Sequence, residues 1–333
     1  MWRELVHFYR SIFTGKKVNN VDITRLNIYM KFNKTSRRVL KFFVVFFILI
    51  LFTEIYLRDY WGFCDSVLMM EDKQYEYIAQ ANQHRFRFRN HVDYNSFSMR
   101  SPEPDSSAYK ILGFGDSIIN GGVMVDQDST ATNILSKGLS ADLKKSIQVL
   151  NIGAGSWGPD NCYAYLQQKG DFNAKMIFLV VSSHDAFDNM DFKPVVDKVI
   201  RYESKQYRFA IWELCEKYIL PRLHSKLPSE DLGVIKNGTV FNTGFQDLYE
   251  YSKLKQVPFF IYLNPDKNEL LEMKYNWQGQ QIIEFCKKNS IRLIQGIRTT
   301  KVEDYRGIIH MNVNGQRHMA SALAPVIKEY MQL

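Results

Sequence analysis

Residues 111–122 read ILGFGDSIINGG, an apolar run that stops at Gly115-Asp116-Ser117. A serine hydroxyl works as a nucleophile when it is fixed in direction beside a base and beside N–H groups that can hold a developing oxyanion. This segment meets part of that need. Gly113 and Gly115 permit a tight turn, Ser117 opens the next segment, and a backbone N–H there can point at an oxyanion. Asp116 is expected to fix the turn through backbone hydrogen bonds and not to carry protons. Taken alone, Gly-Asp-Ser is also an ordinary strand-to-loop turn. The candidate base is His310 in RGIIHMNVNGQRHMA, between the last predicted strand and a helix containing Asn314 and Gly315. His318 falls inside that helix and reads as structural or solvated. Trp157 reads two ways, as a stacking platform for a sugar ring or as a packed indole.

Such residues need a frame to bring them together. Tyr109–Phe114, Ile147–Ile152, Met176–Val181, Val257–Leu263 and Ile291–Ile294 are short apolar runs predicted as strands. Helical spacing covers Asp128–Leu143, Leu270–Asn289 and Val313–Met331. Strands alternating with helices imply parallel pairing with both sheet faces covered. The expected fold is therefore α/β, a three-layer α/β/α sandwich around a parallel sheet of about five strands. In such sheets ligands collect at the carboxyl ends of strands, where Ser117 would sit. Residues 190–245 break the rhythm and read as an insertion near the site, with helix around Arg208–Leu220. Upstream, RFRFRNHVDYNSFSMR alternates basic and aromatic residues; an edge strand on the main domain is the plain reading, a nucleic-acid or glycan groove the other. SPEPDSS (101–107) reads as a linker or turn.

The net charge of +8 has a local source. Of the 43 Lys and Arg, ten fall in residues 1–41 with only two of the 35 acids, which leaves 33 of each beyond. That neutral remainder argues against a nucleic-acid partner. Beside the basic segment, Val39–Leu57 reads VLKFFVVFFILILFTEIYL, long enough as a helix to span a hydrocarbon layer of about 30 Å. Tyr56, Tyr60 and Trp61 supply an interfacial aromatic belt. The division expected is a basic cytoplasmic segment over 1–38, a transmembrane signal anchor over 39–58, a stalk or N-terminal extension over 59–108 and an enzyme domain over 109–333, exported by the excess of Lys and Arg before the helix. Cys64, Cys162, Cys215 and Cys286 are too widely spaced to assign pairs, and no CxxC or His-rich spacing calls for a metal or other cofactor.

Four blocks in order then give the chain its likeness. GDS at Ser117, NIGAGSWGPDN (151–161), SSHD (182–185) and RGIIHMNVNGQRHMA (306–320) resemble the blocks of the SGNH (GDSL-like) hydrolase superfamily, over roughly Tyr109 to the C-terminus. The resemblance implies a flavodoxin-like fold and a serine esterase with Ser117 as nucleophile and His310 as base. It also implies an oxyanion hole from the N–H groups of Ser117 and Gly155, with Gly158 in reserve. His184 stands where the family has its oxyanion Asn, followed by Asp185, and Asp188 is a candidate to hold its tautomer. Gly307 stands where the family has its Asp, so Asp304, Glu303 or a backbone carbonyl is left to orient His310. With the exported location, the expected substrate is an acyl, most simply acetyl, ester on an envelope or exported glycan. An O-acyltransferase with the same serine and base, and a non-catalytic glycan-binding or assembly protein, are the alternatives.

Overall fold

The computed structural model describes residues 34–223, 234, 236 and 238–332, so most of the basic segment 1–38 lies outside the described residues. The chain divides into two units, residues 1–53 and 54–333. Helix α1 (Lys34–Trp61) begins in the first. From Thr35 to Trp61 it is long and apolar enough to cross a membrane. Its apolar side chains from Val39 to Phe52 are exposed, whereas a helix of a water-soluble domain would turn them inward.

In the second unit, apolar runs give five parallel strands, β5 (Tyr109–Gly115), β6 (Ile147–Gly153), β7 (Met176–Ser182), β8 (Phe259–Asn264) and β9 (Arg292–Gln295), in the order β6-β5-β7-β8-β9. Strands β7 and β8 are buried at every residue, as strands covered on both faces must be. Asp116 caps the short helix α2 (Ser117–Asn120), and Thr130 caps α3 (Ala131–Leu143). Further on come α4 (Pro159–Lys169), α5 (Ala210–Leu214), α6 (Gly244–Lys255), α7 (Trp277–Lys288) and α8 (Val313–Gln332). Helix α3 packs against α8, and α4 against α6. Right-handed crossovers put these two pairs on opposite sheet faces, because the chain first steps one way from β5 to β6 and then the other way to β7. That reversal leaves a crevice at the carboxyl end of β5, the place such sheets use for ligands.

Two sequence expectations change. The helix predicted over Leu270–Asn289 is two, Lys267–Glu272 and α7. Met273 ends the first in a left-handed conformation, and the Asn276 side chain caps the second. The segment predicted as an edge strand instead pairs with itself: Gln83–Arg87 (β3) and Asn90–Tyr94 (β4) form an antiparallel hairpin, while β6 and β9 edge the main sheet. Of the stalk or N-terminal extension expected over 59–108, the structure has an extension folded against the α/β domain. Its other hairpin, β1 (Met69–Asp72) with β2 (Glu76–Ala79), sends Tyr75, Tyr77 and Ile78 into the main core. Trp157 is the packed indole, buried, with its N–H donated to the Tyr77 carbonyl at 2.8 Å.

One buried ion pair ties three distant segments. Lys236 Nζ of the insertion lies 2.6 Å from Glu76 Oε2, which also accepts from Asn161 Nδ2 of α4. The other oxygen accepts from the N–H groups of Asp191 and Phe192. Burial by itself would raise the Glu76 carboxyl, but Lys236 and these donors outweigh it and hold it below the usual range. The folded state then binds fewer protons than the unfolded one. The stabilisation is present above the unfolded carboxyl's ordinary 4.5 and is lost as pH falls through the lower folded value. Lys236→Met should leave a buried, unpaired carboxylate and cost about 3–5 kcal/mol in urea unfolding, with the Glu76→Gln/Lys236→Met pair costing less. A pair variant as unstable as the single would contradict the ion-pair account.

Candidate active site

The turn after β5 is held from several sides. Asp116 Oδ1 accepts the Ile118 N–H at 2.8 Å, which orients the first turn of α2 and starts it at Ser117. Asn151 of β6 donates to the Ile119 carbonyl at 2.7 Å, and Asn120 donates to the Gly153 carbonyl at 2.9 Å. Arg100 is fully buried; its Nη1 donates to the carbonyls of Asn120 and Gly122 and its Nη2 to that of Val125, each at 2.6 Å, while Nε donates to the Gln127 side chain at 3.1 Å. Burial pulls its pKa below the ordinary arginine value.

Across the crevice, His310 rides on a small hairpin, β10 (Tyr305–Arg306) with β11 (His310–Met311). The Tyr305 hydroxyl donates to the Pro265 carbonyl at 2.6 Å, pinning the hairpin beyond the end of β8. Gly307 opens its three-residue turn with φ of 72°, a left-handed conformation that suits glycine and strains an Asp. His310 Nε2 lies 3.1 Å from Ser117 Oγ, within hydrogen-bond reach of residues 193 apart in sequence. What seats α8 behind this hairpin is Gln316, itself buried. Its Nε2 donates to the Ile118 carbonyl at 2.7 Å and its Oε1 accepts the Ala131 N–H at 2.9 Å.

Asp304 meets a different histidine from the one expected. Its Oδ2 is 2.6 Å from His318 Nδ1 of α8 and accepts the Lys301 N–H at 2.8 Å. The short 3-10 turn Val302–Asp304 needs that cap, which aims the carboxylate at α8. Glu303 is exposed and gives its carbonyl to the Asn312 side chain.

Ser117, His310, Gly155 and His184 line one cavity of about 650 Å³. A Cβ on Gly155 would come within 2.6 Å of the Tyr202 hydroxyl, so glycine is needed where that tyrosine of the insertion closes in. Gly158, the reserve, has its N–H engaged by Asn161 Oδ1 at 2.8 Å. His184 turns Nε2 toward three carboxylates, Asp185 at 3.6 Å, Asp188 at 3.8 Å and Asp116 at 4.0 Å. These separations suit electrostatic attraction and are too long for hydrogen bonds. Asp116, His184 and Asp185 are also the donor set, among the described residues, that could close on a cation. Burial, with the Asp185 charge nearby, pushes Asp116 up to about 8. Burial and Asp188 raise Asp185, and burial raises Asp188. Sequence reading missed Arg100, Tyr202 and Gln316, polar residues whose roles rest on contacts distant in the chain, although Arg100 and Gln316 lie in segments it singled out.

No protein-family model matches the sequence, and no curated protein matches it. Solved structures similar to it include an acetyl xylan esterase at 13% identity and a TM-score of 0.40, covering 66% of this chain and 99% of that one. Another is a psychrotrophic esterase from Pseudoalteromonas sp., at 11% identity and 0.39, covering 68% and 100%. A third is a catalytic mutant of an acetylxylan esterase from Geobacillus stearothermophilus, at 15% and 0.39, covering 66% and 94%.

Two variants probe the site's construction. With Asp116 raised, the native state keeps a proton that the unfolded chain releases near about pH 4, so stability should fall as pH rises from there to about 8. Asp116→Asn removes that ionisation, and its unfolding midpoint should gain on the wild type between about pH 4 and 8. An equal gap at every pH would mean Asp116 is not shifted. Gln316→Met leaves the Ile118 carbonyl and the Ala131 N–H buried without that partner, at about 1–3 kcal/mol each in urea unfolding. An unchanged midpoint would remove Gln316 as the seat of α8.

Proposed function

We propose that the protein is a serine esterase of the SGNH type, anchored by α1 with its enzyme domain outside the cytoplasm, that removes acyl groups, most simply acetyl, from an envelope or exported glycan. The observation that carries this reading is the 3.1 Å approach of Ser117 Oγ to His310 Nε2 at the wall of a cavity large enough for a sugar ester. His310 takes the hydroxyl proton as Ser117 Oγ attacks the ester carbonyl. The oxyanion that forms is held by the N–H groups of Ser117 and Gly155 and by the His184 imidazole. Collapse expels the sugar hydroxyl, which leaves with the proton from His310, and an acyl-Ser117 remains. Water, deprotonated by His310, attacks the acyl carbon, and the acid departs as Ser117 recovers its proton. The first-turn N–H groups of a helix have no intrahelical acceptor, which supports the role given to Ser117 N–H. Support for the outward orientation is the basic excess ahead of α1, and the glycan substrate follows from that location.

One observation favours a second reading. The insertion contributes Arg201, Tyr202, Val234 and Lys236 to the cavity, a wall that could exclude water and admit a sugar hydroxyl as acyl acceptor. That chemistry is an O-acyltransferase using the same acyl-serine.

The test is p-nitrophenyl acetate turnover by the full chain in detergent, beside Ser117→Ala and His310→Ala. Both variants should lose at least about 10²-fold in kcat/KM, the worth of a general base and its nucleophile. Turnover unchanged in the variants, or none in the wild type, would sink the esterase reading. Acetyl transfer outrunning acetate release once a glycan acceptor is added would select the transferase.

A further inference from the structure

The segment after Arg208 reverses the polarity of an ordinary surface helix. It continues from α5 through a π-helical turn, Cys215–Ile219, into Leu220–Leu223. Two of its four charged side chains, Glu213 and Lys217, point inward. Glu213, fully buried, takes Arg87 Nη2 at 2.6 Å and Lys217 Nζ at 3.0 Å, and Lys217 also pairs with Glu203. Several of its large apolar side chains point outward: Phe209 is 60% exposed, Trp212 61%, Ile219 41% and Leu223 73%. Against water the arrangement is costly twice over, since charges are desolvated and apolar area is left wet. Against an apolar medium the outward face is favourable.

The same segment is fastened to the C-terminal end of α1. Glu54 accepts the N–H groups of Ala210 at 2.7 Å and Ile211 at 3.0 Å, and Arg58 donates to the Arg208 carbonyl. Leu57, Phe63 and Ala210 form a small separate core there, with Ile211, Leu214 and Tyr218 packed on it. Tyr60 and Trp61, at the end of α1, are exposed as well.

From this continuity we infer that Phe209, Trp212, Ile219 and Leu223, with Tyr60 and Trp61, form a lipid-docking face that sits in the headgroup–acyl boundary of the bilayer. The inference rests on the reading that α1 crosses the membrane. Aromatic and aliphatic residues displayed together at the end of a spanning helix are what that boundary accepts. Exposed Glu216 and Arg222 can reach its polar side. The face gives the enzyme domain a second hold on the membrane and limits its freedom to tilt.

The experiment uses the full chain in phosphatidylethanolamine–phosphatidylglycerol vesicles carrying photoactivatable diazirine lipids, one near the headgroup and one near the chain end, with adducts mapped by mass spectrometry. Adducts over 209–223 should exceed those at Leu254, an exposed leucine elsewhere, by at least about tenfold, with a separate set over 42–52. Trp212→Asp/Leu223→Asp should lower the first set about fivefold and spare the second. Adducts over 42–52 with only the Leu254 level over 209–223 would overturn the docking face and leave the span intact. Adducts in neither would overturn both. Adducts over 209–223 alone would support the face and remove the span.

Discussion

A hydroxyl and an imidazole separated by 193 residues must meet within a few tenths of an ångström, and a buried polar frame enforces this. Arg100, Asn120, Asn151 and Gln316 donate to main-chain carbonyls around the turn that carries Ser117. Each is buried, so a lost bond cannot be replaced by water and the frame is cooperative. Apolar packing alone tolerates small shifts; directed hydrogen bonds to named carbonyls do not. The sheet supplies the crevice, and this frame sets positions within it.

The same logic explains why regions that look like appendages are integral. Arg100 comes from the segment ahead of β5, Tyr202 from the insertion, and the Glu76–Lys236 pair joins the two through α4. Around His184 the protein gathers three carboxylates and raises them largely by burial. Such a cluster is tolerable because protons can remain on some of its members, keeping like charges from accumulating in a dry place.

The parts of the fold readable in the sequence are those governed by local pattern. Apolar runs located the five strands to within a residue or two, and turn glycines marked the end of β5. Ser117 and His310 could be named as a pair because ordered blocks carry more information than either residue alone. What escaped depends on contacts distant in sequence. No periodicity tells that Met273 will end a helix or that β3 will pair with β4 and not with the sheet. Asp304 was a fair candidate by distance along the chain, yet its direction is set by a 3-10 turn and by His318 on α8. Gln316 is an unremarked polar residue in an amphipathic helix until its two partners are seen.

The strand order carries a further meaning in time. Starting from β5 and β6, strands β7, β8 and β9 each join beside one already in place, so the sheet can grow outward as the chain emerges. The hairpin of His310 and the helix behind it must travel back, across to α3 and the turn of Ser117. Because His310 follows β9 in the chain, its contact with Ser117 can form only after the residues of all five strands have been made. A chain synthesised only as far as β9 has every strand of the sheet and none of the His310 contact that the proposed chemistry needs.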